Sequence, residues 1–198
     1  MTKIITVWLL LALTTVTAMA QQMAARIDLS GISDKIELTP LESSGGKINF
    51  GTWQSPENVN RYLTAEFKGA RKTWTEGKIS FTPQKEGRVL LWLLGPYVEG
   101  GKTTKGKPFG VRFDNVKING TLLRNGDFES GENGWTIMRK SYLPAKIVTE
   151  DGGNQCVEVW HGDPAITSFL VQKNRLVEIT FDFMSVGELS EDTRENAL

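Results

Sequence analysis

In the strand read over residues 175–184, the chain alternates apolar and polar side chains without a break from Val177 to Phe183. Val177, Ile179, Phe181 and Phe183 fall on one parity, and Glu178, Thr180 and Asp182 on the other. Only an extended strand presents every second residue to the same side, so this segment must lay one face against a second layer. The same period recurs in short runs over residues 26–29, 35–38, 47–53, 61–68, 79–81, 135–138, 155–160 and 165–171, and residues 146–149 read as a further short strand. Residues 88–94 are apolar on both parities, the pattern of a central strand covered on its two faces. Ser43-Ser44-Gly45-Gly46 and Asp151-Gly152-Gly153-Asn154 punctuate these runs as turns, Pro83 stops the strand before it, and residues 95–110 read as a long exposed loop. No segment after residue 20 carries a helical period. The expectation is an all-β chain.

One strand changes phase. Val111 and Phe113 share a parity, whereas Val116 and Ile118 need the opposite one. A single inserted residue near Asp114-Asn115, a β-bulge, brings both halves onto one face and re-aims the acid at 114.

Residues 1–20 have a different character. Lys3 precedes an apolar stretch from Ile4 to Leu13, too short to span a bilayer, and Ala18-Met19-Ala20 supplies a small-residue cleavage site. The segment reads as a signal peptide, with the remainder exported to a periplasmic or extracellular space. Without Lys3, 22 basic residues face 23 acidic ones. No basic stripe is present to follow a phosphate backbone, so nucleic acid is not an expected partner. Cys156 is the only cysteine and His161 the only histidine, which excludes an intrachain disulfide, a cysteine zinc site and a histidine-based triad. A chain of this kind must hold itself together by its own core.

The stretch Asn125-Gly126-Asp127-Phe128-Glu129-Ser130-Gly131, closed by Gly134-Trp135 and preceded by Phe113-Asp114-Asn115-Val116, resembles the galactose-binding-like jelly rolls that serve as carbohydrate-binding modules of secreted bacterial glycanases. In that family the first motif belongs to the opening strand and the acid pair followed by valine to the closing one. Here the two occur in reversed order. Two organisations fit. In the preferred one, residues 21–123 form one β-sandwich lobe and residues 124–186 a second, possibly partial one, followed by a polar tail or linker at 187–198. In the other, both stretches complete a single jelly roll, which places Asp114 and Glu129 close together.

The resemblance implies a non-catalytic module and a structural calcium ion held by Glu129 and Asp114, with Asp127 beside them. Calcium takes six to eight oxygen ligands, which carboxylates supply. A sugar site calls for aromatic rings that stack on the C–H face of a pyranose beside polar side chains that bond its hydroxyls. Trp160 and Glu158, which share a strand parity, together with Tyr62 and Trp53, are the carbohydrate-binding candidates. Trp135 and Trp92 are assigned to the core, while Trp74 stays undecided. The expected partner is a polysaccharide, with an enzyme or cell surface nearby. The competing reading is a structural or adhesion module whose sheets contact another protein or space domains.

Overall fold

The computed structural model describes residues 21–28, 46–54, 59–69, 72–83, 85–95, 109–140 and 144–188. Among the described residues eleven strands follow one another: β1 (Gln21–Asp28), β2 (Gly46–Gln54), β3 (Val59–Gly69), β4 (Thr75–Phe81), β5 (Gly87–Leu94), β6 (Phe109–Ile118), β7 (Thr136–Ile137), β8 (Lys146–Thr149), β9 (Gln155–Val159), β10 (Ala165–Val171) and β11 (Val177–Glu188). No helix occurs among the described residues, and none there is long and apolar enough to cross a membrane. The expected strand at 35–38 and the signal segment at 1–20 lie outside the described residues.

The strands form a six-stranded sheet in the order β2-β3-β1-β5-β10-β7 and a five-stranded sheet in the order β4-β11-β6-β9-β8. Every pairing is antiparallel. The alternation of β11 does what its period requires: Ile179, Phe181 and Phe183 are buried, while Glu178, Thr180 and Asp182 keep partial exposure on the other face. Phe67 of β3 reaches across to β11, meeting the Phe181 ring edge-on at 5.2 Å and the Phe183 ring at 5.6 Å. Aromatic side chains of the two sheets therefore share one core, the arrangement of a β-sandwich. From β5, Val89, Leu91 and Leu93 enter the same core at 0% exposure. Burying a side chain of that size stabilises the fold by about 1.5–3 kcal/mol.

The pairing cuts across the boundary expected at residues 123/124. Strand β10 lies between β5 and β7, and β11 lies between β4 and β6. Strands of residues 21–123 and of residues 124–186 thus share both sheets, as the single-sandwich organisation requires, and do not separate into consecutive lobes. The tail starts later than expected, because β11 continues through Glu188. Trp92, assigned to the core from sequence, is half-buried on the opposite face of β5 from Leu91 and Leu93, since alternation along a strand cannot bury both parities equally.

The phase change in β6 is a bulge where the sequence places it. Lys117 pairs with Thr180 and Asp114 with Asp182, so β6 spends one more residue than β11 over the same stretch. Asn115 absorbs it with φ +51° and points to solvent.

The Asn-Gly-Asp-Phe-Glu stretch is a loop, not the opening strand the resemblance suggests. Asn125 and Phe128 take φ values of +54° and +56°, which no strand tolerates. Three bonds of the Asn125 side chain hold it: Nδ2 donates to the carbonyls of Gly131 (2.9 Å) and Asn133 (3.1 Å), and Oδ1 accepts from the Ser130 N–H (2.8 Å). Its own carbonyl accepts the Trp135 indole N–H at 2.9 Å. Trp135 joins the core as expected and packs on the fully buried Phe128 at 4.8 Å. Gly126 is obligatory for a steric reason: a Cβ there would sit 2.0 Å from the Val116 carbonyl oxygen, which its backbone must approach so that Val116 N–H can bond Gly126 O.

Candidate functional site

The five-stranded sheet turns one face to the core and the other outward. Because Val111 and Phe113 are buried inside, Arg112 between them must project from the outer face. Register then lines up four side chains across the strands: Met184 opposite Arg112, Arg112 opposite Glu158, and Glu158 opposite Lys146. Arg112 Nε donates to Glu158 Oε2 at 2.9 Å and Nη1 to Glu150 Oε1 at 2.9 Å. Lys146 Nζ lies 3.5 Å from the other Glu158 oxygen. From the loop before β4, the half-buried Trp74 donates its indole N–H to Glu150 Oε2 at 3.3 Å. Burial acts to lower the Arg112 pKa, but its bonds to Glu158 and Glu150 outweigh that and hold the guanidinium above its ordinary value.

Of the four carbohydrate-binding candidates, Glu158 lies in the middle of this row. Trp160 follows it by two residues, just past the end of β9, and is half-buried with its ring lying over the loop backbone: a Cβ on Gly162 would fall 2.6 Å from the ring. Trp53 and Tyr62 belong to the other sheet, where Trp53 is in register with Asn60, and Tyr62 with Gly51 and Asp28. Their side chains lie outside the described residues. The strands that carry the four candidates divide between the two sheets. The sequence reading did not identify Arg112, Glu150 and Lys146, and left Trp74 undecided. The parity of Arg112 was readable, but its partners come from β8, β9 and the 150–154 hairpin, and only sheet order brings these together.

A second polar group sits beside the bulge. Asp114 is buried, its Oδ1 accepting from Asn115 N–H at 2.6 Å and its Oδ2 from the Asn154 amide at 3.0 Å. Asp182, its cross-strand partner, accepts from the Asn115 side chain at 2.9 Å. Glu129 accepts from the Gln155 N–H at 2.8 Å. Burial pushes the Asp114 carboxyl above its ordinary value against those two hydrogen bonds, and the charges of Asp182 and Glu129 add to the rise. The pair that the resemblance links, Asp114 and Glu129, is thus brought into electrostatic contact by the bulge and the Asn125 loop. Asp127 does not join them. It is exposed, and its Oδ1 faces the Glu129 N–H at 3.4 Å. Among the described residues, no group of three or more acid, histidine or cysteine side chains converges on a metal-sized position.

Cys156, on the outer face next to Glu158, is fully buried. Burial first and the Glu150 charge second push its thiol up to about 12, so it stays protonated and unreactive at neutral pH. Compared with family models, with curated proteins and with solved structures, the chain finds no match, so the site is argued from its own geometry.

Proposed function

We propose that this chain is a secreted, non-catalytic carbohydrate-binding module built on a galactose-binding-like jelly roll. Polysaccharide would bind along the outer face of the five-stranded sheet. The observation that supports this reading is the row of Arg112, Glu158 and Lys146, with Glu150 beside it, the half-buried Trp74 indole bonded to Glu150, and the half-buried Trp160 two residues past Glu158. Charged donors and acceptors fixed by one another present hydrogen-bonding groups in a set geometry, and the indoles offer rings to a sugar's C–H face. An open site of this kind binds with about 1 mM to 1 μM affinity, roughly 4–8 kcal/mol. A calcium ion held by Asp114 and Glu129 belongs to the same reading: their hard oxygens suit it, and its charge would offset the burial and the like-charge repulsion that raise the Asp114 pKa.

The test is pull-down on insoluble polysaccharides and affinity electrophoresis in soluble ones, comparing the wild type with Glu158→Gln and Trp160→Ala. Retention by at least one polysaccharide that both variants lose is expected. Equal behaviour of all three proteins on every glycan would defeat the proposal. For the ion, added calcium should raise the melting temperature of the wild type but not of Asp114→Asn.

One observation favours the competing reading, a module that contacts another protein. Leu122, Leu170 and Leu176 are 97%, 62% and 48% exposed; Leu122 follows the end of β6, Leu170 stands near the end of β10, and Leu176 just precedes β11. Retention of binding to polysaccharide in a Leu122→Ser, Leu176→Ser double variant separates the two readings.

A further inference from the structure

The sequence holds three Asn-Gly pairs, Asn119-Gly120, Asn125-Gly126 and Asn133-Gly134. An asparagine followed by glycine is the pair in which the next main-chain nitrogen reaches the side-chain amide most easily, because glycine places no Cβ in the path. Whether that attack occurs depends on how the asparagine side chain is held, and the fold treats the three differently.

Asn119 is tied to the start of β11: its Oδ1 accepts from Glu178 N–H at 2.7 Å and its Nδ2 faces the Leu176 carbonyl at 3.4 Å. Asn125 is tied harder, with its amide engaged by Gly131, Asn133 and Ser130. Gly126 is also wedged against the Val116 carbonyl. Asn133 differs from both. Its backbone takes part in the loop, N–H toward Ser130 O at 3.4 Å and carbonyl accepting from Asn125, but its exposed side chain has no hydrogen bond among the described residues. Gly134 beside it is exposed.

We propose that Asn133 is a site of spontaneous covalent modification in the folded protein, converting through a succinimide to aspartate and isoaspartate ahead of Asn119 and Asn125. The Gly134 nitrogen gives up its proton and bonds to Asn133 Cγ. The bond from Cγ to the amide nitrogen breaks, and that nitrogen leaves with the proton as ammonia. Water then opens the ring at one of its two C–N bonds. Opening at Cγ gives aspartate, and opening at the main-chain carbonyl gives isoaspartate. Either product adds a negative charge next to Glu132. Isoaspartate also routes the main chain through the former side chain, which displaces the carbonyl that receives the Asn125 amide. The modification therefore acts on the same hub that seats Trp135.

The experiment incubates the purified chain at mildly alkaline pH, natively and in urea, and follows each pair by peptide mapping with fragmentation and by enzymatic methylation of isoaspartate. In the native chain Asn133 is expected to convert several-fold before the other two, and in urea the three rates should converge. Asn133→Gln should abolish the first acidic species and the early isoaspartate signal. Conversion of Asn119 or Asn125 first in the native chain would overturn the proposal. So would simultaneous conversion of all three, or a native Asn133 that stays intact while the unfolded chain reacts.

Discussion

Replacing Arg112 by methionine probes the outer row directly. Methionine keeps much of the side chain's length but removes both charged donors, so Glu158 loses its 2.9 Å bond from Nε and Glu150 its 2.9 Å bond from Nη1. Side-chain exposures of 24% for Arg112 and 11% for Glu158 place the pair between surface and interior. A buried pair broken on one side costs about 3–5 kcal/mol, and an exposed one about 0–1 kcal/mol. Lys146 still faces Glu158, which reduces the penalty further. A cost of about 2 kcal/mol is therefore expected, equivalent to a fall of about 4–8 °C in melting temperature for a chain of this size. Glu158→Gln should cost less, because Arg112 keeps Glu150. The double variant should be less unstable than the two single costs added, with a coupling of about 1 kcal/mol. Thermal denaturation followed by circular dichroism measures all three. Strict additivity would show that Arg112 and Glu158 do not act on one another, and the proposed binding face would lose its fixed polar row.

Asp114 gives a pH signature. Its folded-state pKa is raised, chiefly by burial and then by Asp182 and Glu129, so the fold favours the protonated form. Its contribution is full below the unfolded carboxylate pKa and is lost as pH rises through the folded value; metal-free Asp114→Asn should flatten that part of the stability–pH curve, and an unchanged curve would refute this. Phe181→Ala should cost about 3–5 kcal/mol in urea unfolding, because its ring bridges Phe67, Phe113 and Phe183. Gly126→Ala should destabilise by about 1–3 kcal/mol or more, since the new Cβ meets a carbonyl that cannot yield. Cys156, with its thiol pushed up to about 12, should resist alkylating reagents at neutral pH until urea unfolds the chain.

How much of this was legible in the sequence depends on the range of the interaction. Period-two alternation located β10 and the core face of β11, because that pattern is a local consequence of burying one face. The parity break at Asp114-Asn115 located the bulge for the same reason. The Asn125 loop was misjudged as a strand, since its conformation is set by hydrogen bonds from Asn125 to residues five to eight positions on, not by alternation. The lobe boundary at 123/124 followed from the reversed motif order. Strand order is decided by which apolar faces meet, and Phe67 meeting Phe181 is a contact no local pattern announces. The Arg112 network was hidden for a related reason, as its acids lie on β9 and in a hairpin far along the chain.

The central claim is that β11 sits inside one sheet between β4 and β6, joining the early and late parts of the chain. Nuclear Overhauser contacts across the antiparallel ladders test this most directly. The fold predicts contacts from the backbone of Ile179 to both Ile79 and Ile118, and from Phe169 to Val89. A spectrum in which Ile179 and Phe169 contact only residues after Arg124 would contradict it.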